Sequence, residues 1–308
     1  MNKEIKVQSE LSHSDFGNLQ SRSGAFYEFW RAFRKNKLAM IAFFVLIIII
    51  LSAFFAPFLA TEDPFKISLS QEAMKLPPSA SHFFGTDDMG RDIWSRIVFG
   101  SRISLLVGFL AAFFSVFIGA IYGSISGYYG GRVDSLMMRF VDIMLSLPTM
   151  FLLIIFAAFV RPNAVGIALI ISITGWMPIA RLVRGEFLSL KEREFVEAAR
   201  GLGYSNQRII FIHILPNVTA PIIVNATLEV VYAIIAESTL SFLGLGIQPP
   251  QFSWGRMLTN AQDLVLLKEA PWTAIFPGLA IFITVLCFNF FGDGLRDALD
   301  PKLKNVKS

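Results

Sequence analysis

The sequence predicts an all-α integral membrane protein with six transmembrane helices, and three observations carry that prediction. Apolar residues make up 54% of the 308 residues and charged ones only 16%, where soluble domains carry about a quarter charged residues. Uncharged runs recur at residues 38–61, 103–131, 143–160, 162–180, 209–228 and 270–292, and a span needs about 20 mostly apolar residues. The third observation is a polar interruption, residues 186–216, which holds Glu186, Lys191, Glu192, Arg193, Glu194, Glu197, Arg200 and Arg208. These charges exclude it from a bilayer core, yet both of its halves carry helical patterning.

Residues 1–23 are polar and rich in serine, which suits a disordered tail. From Phe26 to Phe33 aromatics alternate with charges, and Arg34, Lys35 and Lys37 follow, so residues 24–37 read as an interfacial amphipathic helix with Tyr27 and Trp30 at headgroup depth. Residues 38–60 form span one; the run is too long and lies too far along the chain for the h-region of a cleaved signal. An outer segment follows. Its residues 82–105 are polar, and Asp88, Asp92, Arg91 and Arg96 can pair at helical spacing. Asp87 and Asp88 lack further oxygen ligands, so no metal site is expected there.

Residues 103–127 form span two, with Gly119, Gly123 and Gly127 four apart, a spacing that lets helices approach closely in lipid. Spans three (140–160) and four (163–182) each carry a proline, Pro148 and Pro178, and kinks are expected at both. In the polar stretch 186–216, Phe187, Leu188, Leu190, Phe195, Val196 and Ala199 make an apolar stripe. Gly203 suits a left-handed helix end, Ser205 suits the N-cap of a second helix, and Pro216 suits that helix's break with the next span. The outcome is a helix–glycine turn–helix hairpin at the membrane surface.

Span five (218–244) contains Glu229 and Glu237. A carboxylate in a span must face protein or water, so both are candidates for a translocation pathway, and Glu237 has the alternative of pairing between helices near the outer surface. Gly244, Gly246, Pro249 and Pro250 then make a rigid outer turn, and residues 251–258 fold near the outer mouth. Span six (271–292) holds Cys287, the one cysteine, which can form no internal disulfide. Charged residues from Asp293 to Asp300 end the chain at the inner surface. With the N-terminus inside, 19 of the 27 Lys and Arg fall on inner segments and 8 on outer ones. The hairpin and both termini are therefore expected in the cytoplasm. The same asymmetry accounts for the net charge of +4 without a nucleic-acid partner.

Glu197-Ala198-Ala199, three residues, Gly203, nine residues and His213-Ile214-Leu215-Pro216 together resemble the signature of the binding-protein-dependent ABC transporter permeases. The one departure is His213 in place of Ile, and the peptide branch of that family often has His there. Gly85-Thr86-Asp87, Gly90-Arg91-Asp92 and Ser95-Arg96 resemble the run before span two in the dipeptide, oligopeptide and nickel branch. Ala236 to Gly246 and Gln251 to Leu258 are also family-like. At Glu229 that branch more often has a small or neutral residue.

The resemblance, to the C-type permease chain, implies a type I ABC importer-like permease fold in a bacterial cytoplasmic (inner) membrane. It further implies a pathway shared with a second, homologous permease subunit, two cytoplasmic ATP-binding subunits and an extracytoplasmic solute-binding protein. Glu197, Ala198, Ala199 and Gly203 would dock the ATPases, with Leu215 and Pro216 anchoring the second helix. Short peptides would be the cargo, with nickel or another small solute as the alternative.

The chain has no G-x-x-x-x-G-K-[ST] loop and no H-E-x-x-H, and its three histidines fall in separate segments. A non-catalytic subunit that binds no cofactor is therefore expected, with ATP and Mg used by its partners. Two readings of other classes are an ion-coupled secondary transporter using Glu229 and Glu237, which would be expected to show internal repeats and more spans, and a membrane scaffold or sensor.

Overall fold

The computed structural model describes residues 27–159 and 163–299, and among them there are helices and no strands. The tail at 1–23, the start of the interfacial helix, Val160 at the expected end of span three, and the last charges from Asp300 lie outside the described residues. Among the described residues five helices are long and apolar enough to cross a membrane, or six spans when the bent pair at 131–159 counts as one.

Residues 27–33 form α1, whose Phe33 is buried against Ala39, Leu295 and Ala298 and meets the Phe291 ring edge-on at 5.7 Å. Asn36 then caps α2 (Lys37–Phe54), its Oδ1 accepting from the Ala39 N–H at 3.1 Å. Its Nδ2 donates to Asp297 at 3.3 Å. The elbow before span one is thus tied to the end of span six. A four-residue helix, α3 (Ala56–Leu59), completes the span after a break at Phe55.

The outer segment has no regular structure but is firmly pinned. Thr61 Oγ1 donates to Asp92 Oδ2 at 3.0 Å, Trp272 Nε1 donates to the Thr86 carbonyl at 3.0 Å, and Lys75 pairs with Glu269 at 2.6 Å. That hydrogen bond raises the Lys75 pKa above its ordinary value.

Helix α4 (Ile93–Tyr129) starts ten residues before the expected span because Asp92 caps it, accepting from the Ser95 N–H at 2.8 Å. Ser95, Arg96, Ser101 and Ser104 are buried, so the polar start of this helix faces protein, where an apolar-run criterion does not reach. Its glycines lie on α7 (Ala164–Leu190). A Cβ on Gly119 would stand 2.7 Å from the Trp176 carbonyl oxygen, and one on Gly127 would stand 2.5 Å from Phe187 Cβ.

Span three differs most from expectation. It is not one helix over 140–160 but α5 (Gly131–Ser146) and α6 (Thr149–Phe159), bent by 86°. Pro148 lacks an N–H and forces Leu147 into an extended conformation (φ −82, ψ 137), so the helix stops there. Ion pairs of Arg184 with Asp134 (Nη2–Oδ2 2.6 Å) and of Arg181 with Asp142 hold α5 against α7. Pro178, by contrast, sits inside an unbroken α7.

α7 runs eight residues past the expected end of span four and absorbs Glu186–Leu190, so the first arm of the hairpin is only α8 (Glu194–Gly201). Its second arm is not a separate helix ended by Pro216. α9 (Asn206–Arg208), a π segment (Ile209–Ile214), a 3₁₀ turn (Leu215–Val218) and α10 (Thr219–Phe242) follow without a gap and make one helical run, Asn206–Phe242. Pro216 cannot donate to the preceding turn and its ring crowds a carbonyl there. The backbone widens ahead of it and tightens around it instead of breaking. Short helices α11 (Trp254–Met257) and α12 (Leu264–Glu269) form the outer turn, and α13 (Trp272–Leu299) closes the bundle.

Candidate functional site

The hairpin projects from one end of the bundle on a small apolar base. Val196 and Ala199 of α8 pack with Ile209, Ile210 and Ile214 of the second arm and with Tyr128, Val183 and Phe187 of α4 and α7. The helix ends as a Schellman motif: the Gly203 N–H donates to the Arg200 carbonyl at 2.9 Å and the Tyr204 N–H to the Ala199 carbonyl at 3.2 Å. Gly203 sits at φ +75 with open space around it, so the position demands a backbone conformation and makes no demand on volume. Ser205 caps the second arm, accepting from the Arg208 N–H at 3.4 Å.

The six hairpin residues of sequence interest divide by exposure. Glu197, Ala198, Gly203 and Pro216 face outward, Ala199 is buried in the base, and Leu215 is half-buried. Leu202 stands 72% exposed at the tip, and Phe195 40%. An apolar tip thus stands between charged residues on a packed base.

Sequence reasoning missed three supports of this surface. The Tyr204 ring stacks on His213 at 5.3 Å, Arg208 lies 4.3 Å over the Tyr204 ring, and Tyr128 Oη donates to Asn206 Oδ1 at 2.8 Å. The first and third have no signal in the spacing, because His213 lies on the π segment and Tyr128 lies far from Asn206 in sequence, whereas Arg208 stands four residues after Tyr204.

The two carboxylates of α10 do not form one site. Glu237 is fully buried near the outer end, where its Oε1 accepts from Ser241 Oγ at 2.7 Å and Ser253 Oγ at 2.6 Å. Ser253 in turn caps α11 and Ser241 holds the Ile247 N–H at 3.1 Å. Glu237 is thus the hub that fastens the outer turn to α10. Glu229 is buried at mid-bundle, accepts from Ser115 Oγ of α4 at 3.0 Å, and presses on Gly175 of α7, where any Cβ would overlap its Oε1.

The fold and hairpin together define a multi-span membrane protein with a polar helical hairpin projecting at one end of its bundle. Residues 115–305 match the model for the binding-protein-dependent transport system inner membrane component, and residues 25–78 match the N-terminal TM domain of oligopeptide transport permease C. The chain belongs to this family of inner-membrane permeases.

It is 46% identical over 278 residues, 90% of each chain, to the dipeptide transport system permease protein DppC of Alkalihalophilus pseudofirmus. It is 42% identical over 303 residues, 97% of this chain and 98% of the other, to the oligopeptide transport system permease protein OppC of Bacillus subtilis. A chain of the MetNI methionine ABC transporter in an inward-facing conformation shares the fold, with TM-score 0.54, 19% identity and coverage of 67% of this chain and 97% of that one.

Proposed function

We propose that this chain is the permease subunit of an ATP-driven importer of short peptides. It would form the pathway with a second, homologous permease, receive solute from an extracytoplasmic binding protein, and be driven by two cytoplasmic ATP-binding subunits that use ATP and Mg. Family membership and the names of the relatives, dipeptide and oligopeptide permeases at 42–46% identity, support the peptide cargo.

The observation that carries the mechanism is the hairpin. α8 offers Glu197 and Ala198 outward, with Leu202 at its C-cap, while Val196 and Ala199 pack it on the bundle. A push on that surface passes into α10 through Gly203 and the stacked Tyr204 and His213. The chain itself has no phosphate loop, so the push comes from a nucleotide-binding partner. The excess of Lys and Arg on the hairpin side and at the termini supports a cytoplasmic placement for both.

The test is purification of the tagged chain from its native membrane in mild detergent, with partners identified, for the natural sequence and for Glu197→Ala and Gly203→Val variants. Co-purification of a second permease and of phosphate-loop ATPases is expected, with the ATPases lost from the variants. Isolation of the chain alone in every detergent sinks the reading and returns attention to Glu229 as a coupling carboxylate. The Ser241 and Ser253 bonds favour a structural role for Glu237 over ion coupling.

A further inference from the structure

At the end of the bundle opposite the hairpin, between the outer segment and the outer turn, lies a cavity of about 400 Å³, a size in the usual range for small-ligand pockets. Its walls are fixed. Asp87 Oδ1 accepts from the Met89 and Arg91 N–H groups, both at 2.9 Å, and its Oδ2 takes Arg91 Nε at 2.7 Å, so both oxygens of Asp87 are taken. Ser253, held by Glu237, fixes the start of α11 from the other side.

Three charged groups lining this cavity keep unused capacity. The Arg96 side chain, only 9% exposed, lies 4.3 Å over the Phe252 ring and donates one hydrogen bond, to the Pro64 carbonyl at 3.3 Å. Asp87 Oδ2 is 4.0 Å away, beyond hydrogen-bond reach. A guanidinium has five N–H donors, so most of Arg96's capacity is unspent. Arg256 lines the same cavity and forms no ion pair among the described residues. Asp88 Oδ1 is a buried oxygen with no hydrogen-bond partner, and the cation nearest to it, Arg91 Nη2, is 4.0 Å off.

The geometry points to a binding site for a small zwitterion, its carboxylate held by Arg96 and Arg256 and its ammonium by Asp88, with Phe65, Phe252 and Met257 against its body. The guanidinium fork matches a carboxylate. A dianion would bring its second charge against Asp87 and Asp88, and a simple cation would meet Arg96. Only a ligand carrying both signs satisfies both sets. The inference rests on the importer reading in one respect, that this face meets arriving solute.

The test uses the full chain in lipid nanodiscs, titrated calorimetrically with alanyl-alanine, its N-acetyl derivative and its C-terminal amide. Saturable binding of the free dipeptide is expected, at least tenfold weaker when either end is blocked. Arg256→Gln should weaken the free dipeptide at least tenfold and leave the amide unchanged, and Asp88→Asn should do the same for the ammonium end with the N-acetyl compound as control. Both side chains are partly exposed, and an unchanged unfolding temperature verifies the fold of each variant.

No saturable binding, or equal affinities across ligands or variants, overturns the proposal. So does a chain that ignores the dipeptide while Arg256→Gln loses affinity for the binding protein, because the carboxylate then belongs to that protein. Failure here with uptake still dependent on Gly203 leaves the transport reading standing.

Discussion

Gly203 contributes backbone conformation and nothing else, which makes it a sharp probe of coupling. At φ +75 with nothing near its missing Cβ, a side chain meets no clash and costs only the left-handed conformation, about 1–2 kcal/mol for most residues. Gly203→Val should therefore leave the chain in the membrane while uptake falls to background, because a β-branched residue reshapes the turn. Gly203→Asn, which tolerates that conformation, should keep most of the uptake. Equal loss in both variants, measured with labelled peptide in vesicles, would show that the turn's shape is not what matters. Glu237 calls for the opposite pattern. Glu237→Ala strands two buried hydroxyls at about 1–3 kcal/mol each, so a clear fall in unfolding temperature is expected. Glu237→Gln keeps an acceptor and should retain fold and uptake, and loss of uptake at normal stability would instead make it a coupling group. Gly203 and Ser205 were legible in the sequence because turn and cap chemistry is local. Of the two serine partners of Glu237, Ser241 lies one turn along the same helix, but Ser253 is brought to it by the outer turn and no spacing announces that.

Among the elements, the apolar runs located the spans but not their ends. Lipid demands apolar residues only where a helix faces it: the polar first turns of α4 are buried against protein, and the last turns of α7 bury only Val183 and Phe187 while Arg181, Gly185 and Ser189 stay exposed. The two prolines show the same limit. Pro148 splits a span by 86° while Pro178 leaves its helix whole, and what separates them is the surroundings: α5 is tied to α7 by two arginine–aspartate pairs, whereas Pro178 sits in the helix that packs tightest on α4. The glycine stripe was read correctly as a packing device, and it supplies a graded test. A Cβ at Gly123 would run into the Ala180 carbonyl oxygen and come within 2.8 Å of Val183 Cβ. Gly123→Val should cost about 1–3 kcal/mol or more through overpacking and lower both yield and unfolding temperature. Gly185, on the same helix as Val183 but with nothing within 4 Å of a Cβ, should accept alanine without loss. If both variants behave alike, the close α4–α7 approach is not what holds the bundle.

At the scale of the whole molecule, one helical run joins the two ends that matter. Asn206–Phe242 has 37 residues, about 55 Å at 1.5 Å per residue, enough to reach from the hairpin through the bilayer to the Glu237 hub beneath the outer turn. Its one irregular stretch, Ile209–Val218, lies at the hairpin end, where the Asn217 side chain bridges to the His213 carbonyl at 2.7 Å and the Tyr204 ring stacks on His213. The run thus transmits displacement only if that stretch stays stiff. Two glycines inserted between Pro216 and Asn217 leave α8, Gly203 and the exposed tip untouched but rotate and loosen everything beyond them. ATPase subunits should still co-purify with this variant while uptake falls to background, separating docking from transmission. Uptake at the natural level would mean that the force enters the bundle elsewhere. The remaining contacts of the hairpin base, from Val196 and Ala199 to Phe187 of α7, would then be the route to cut next.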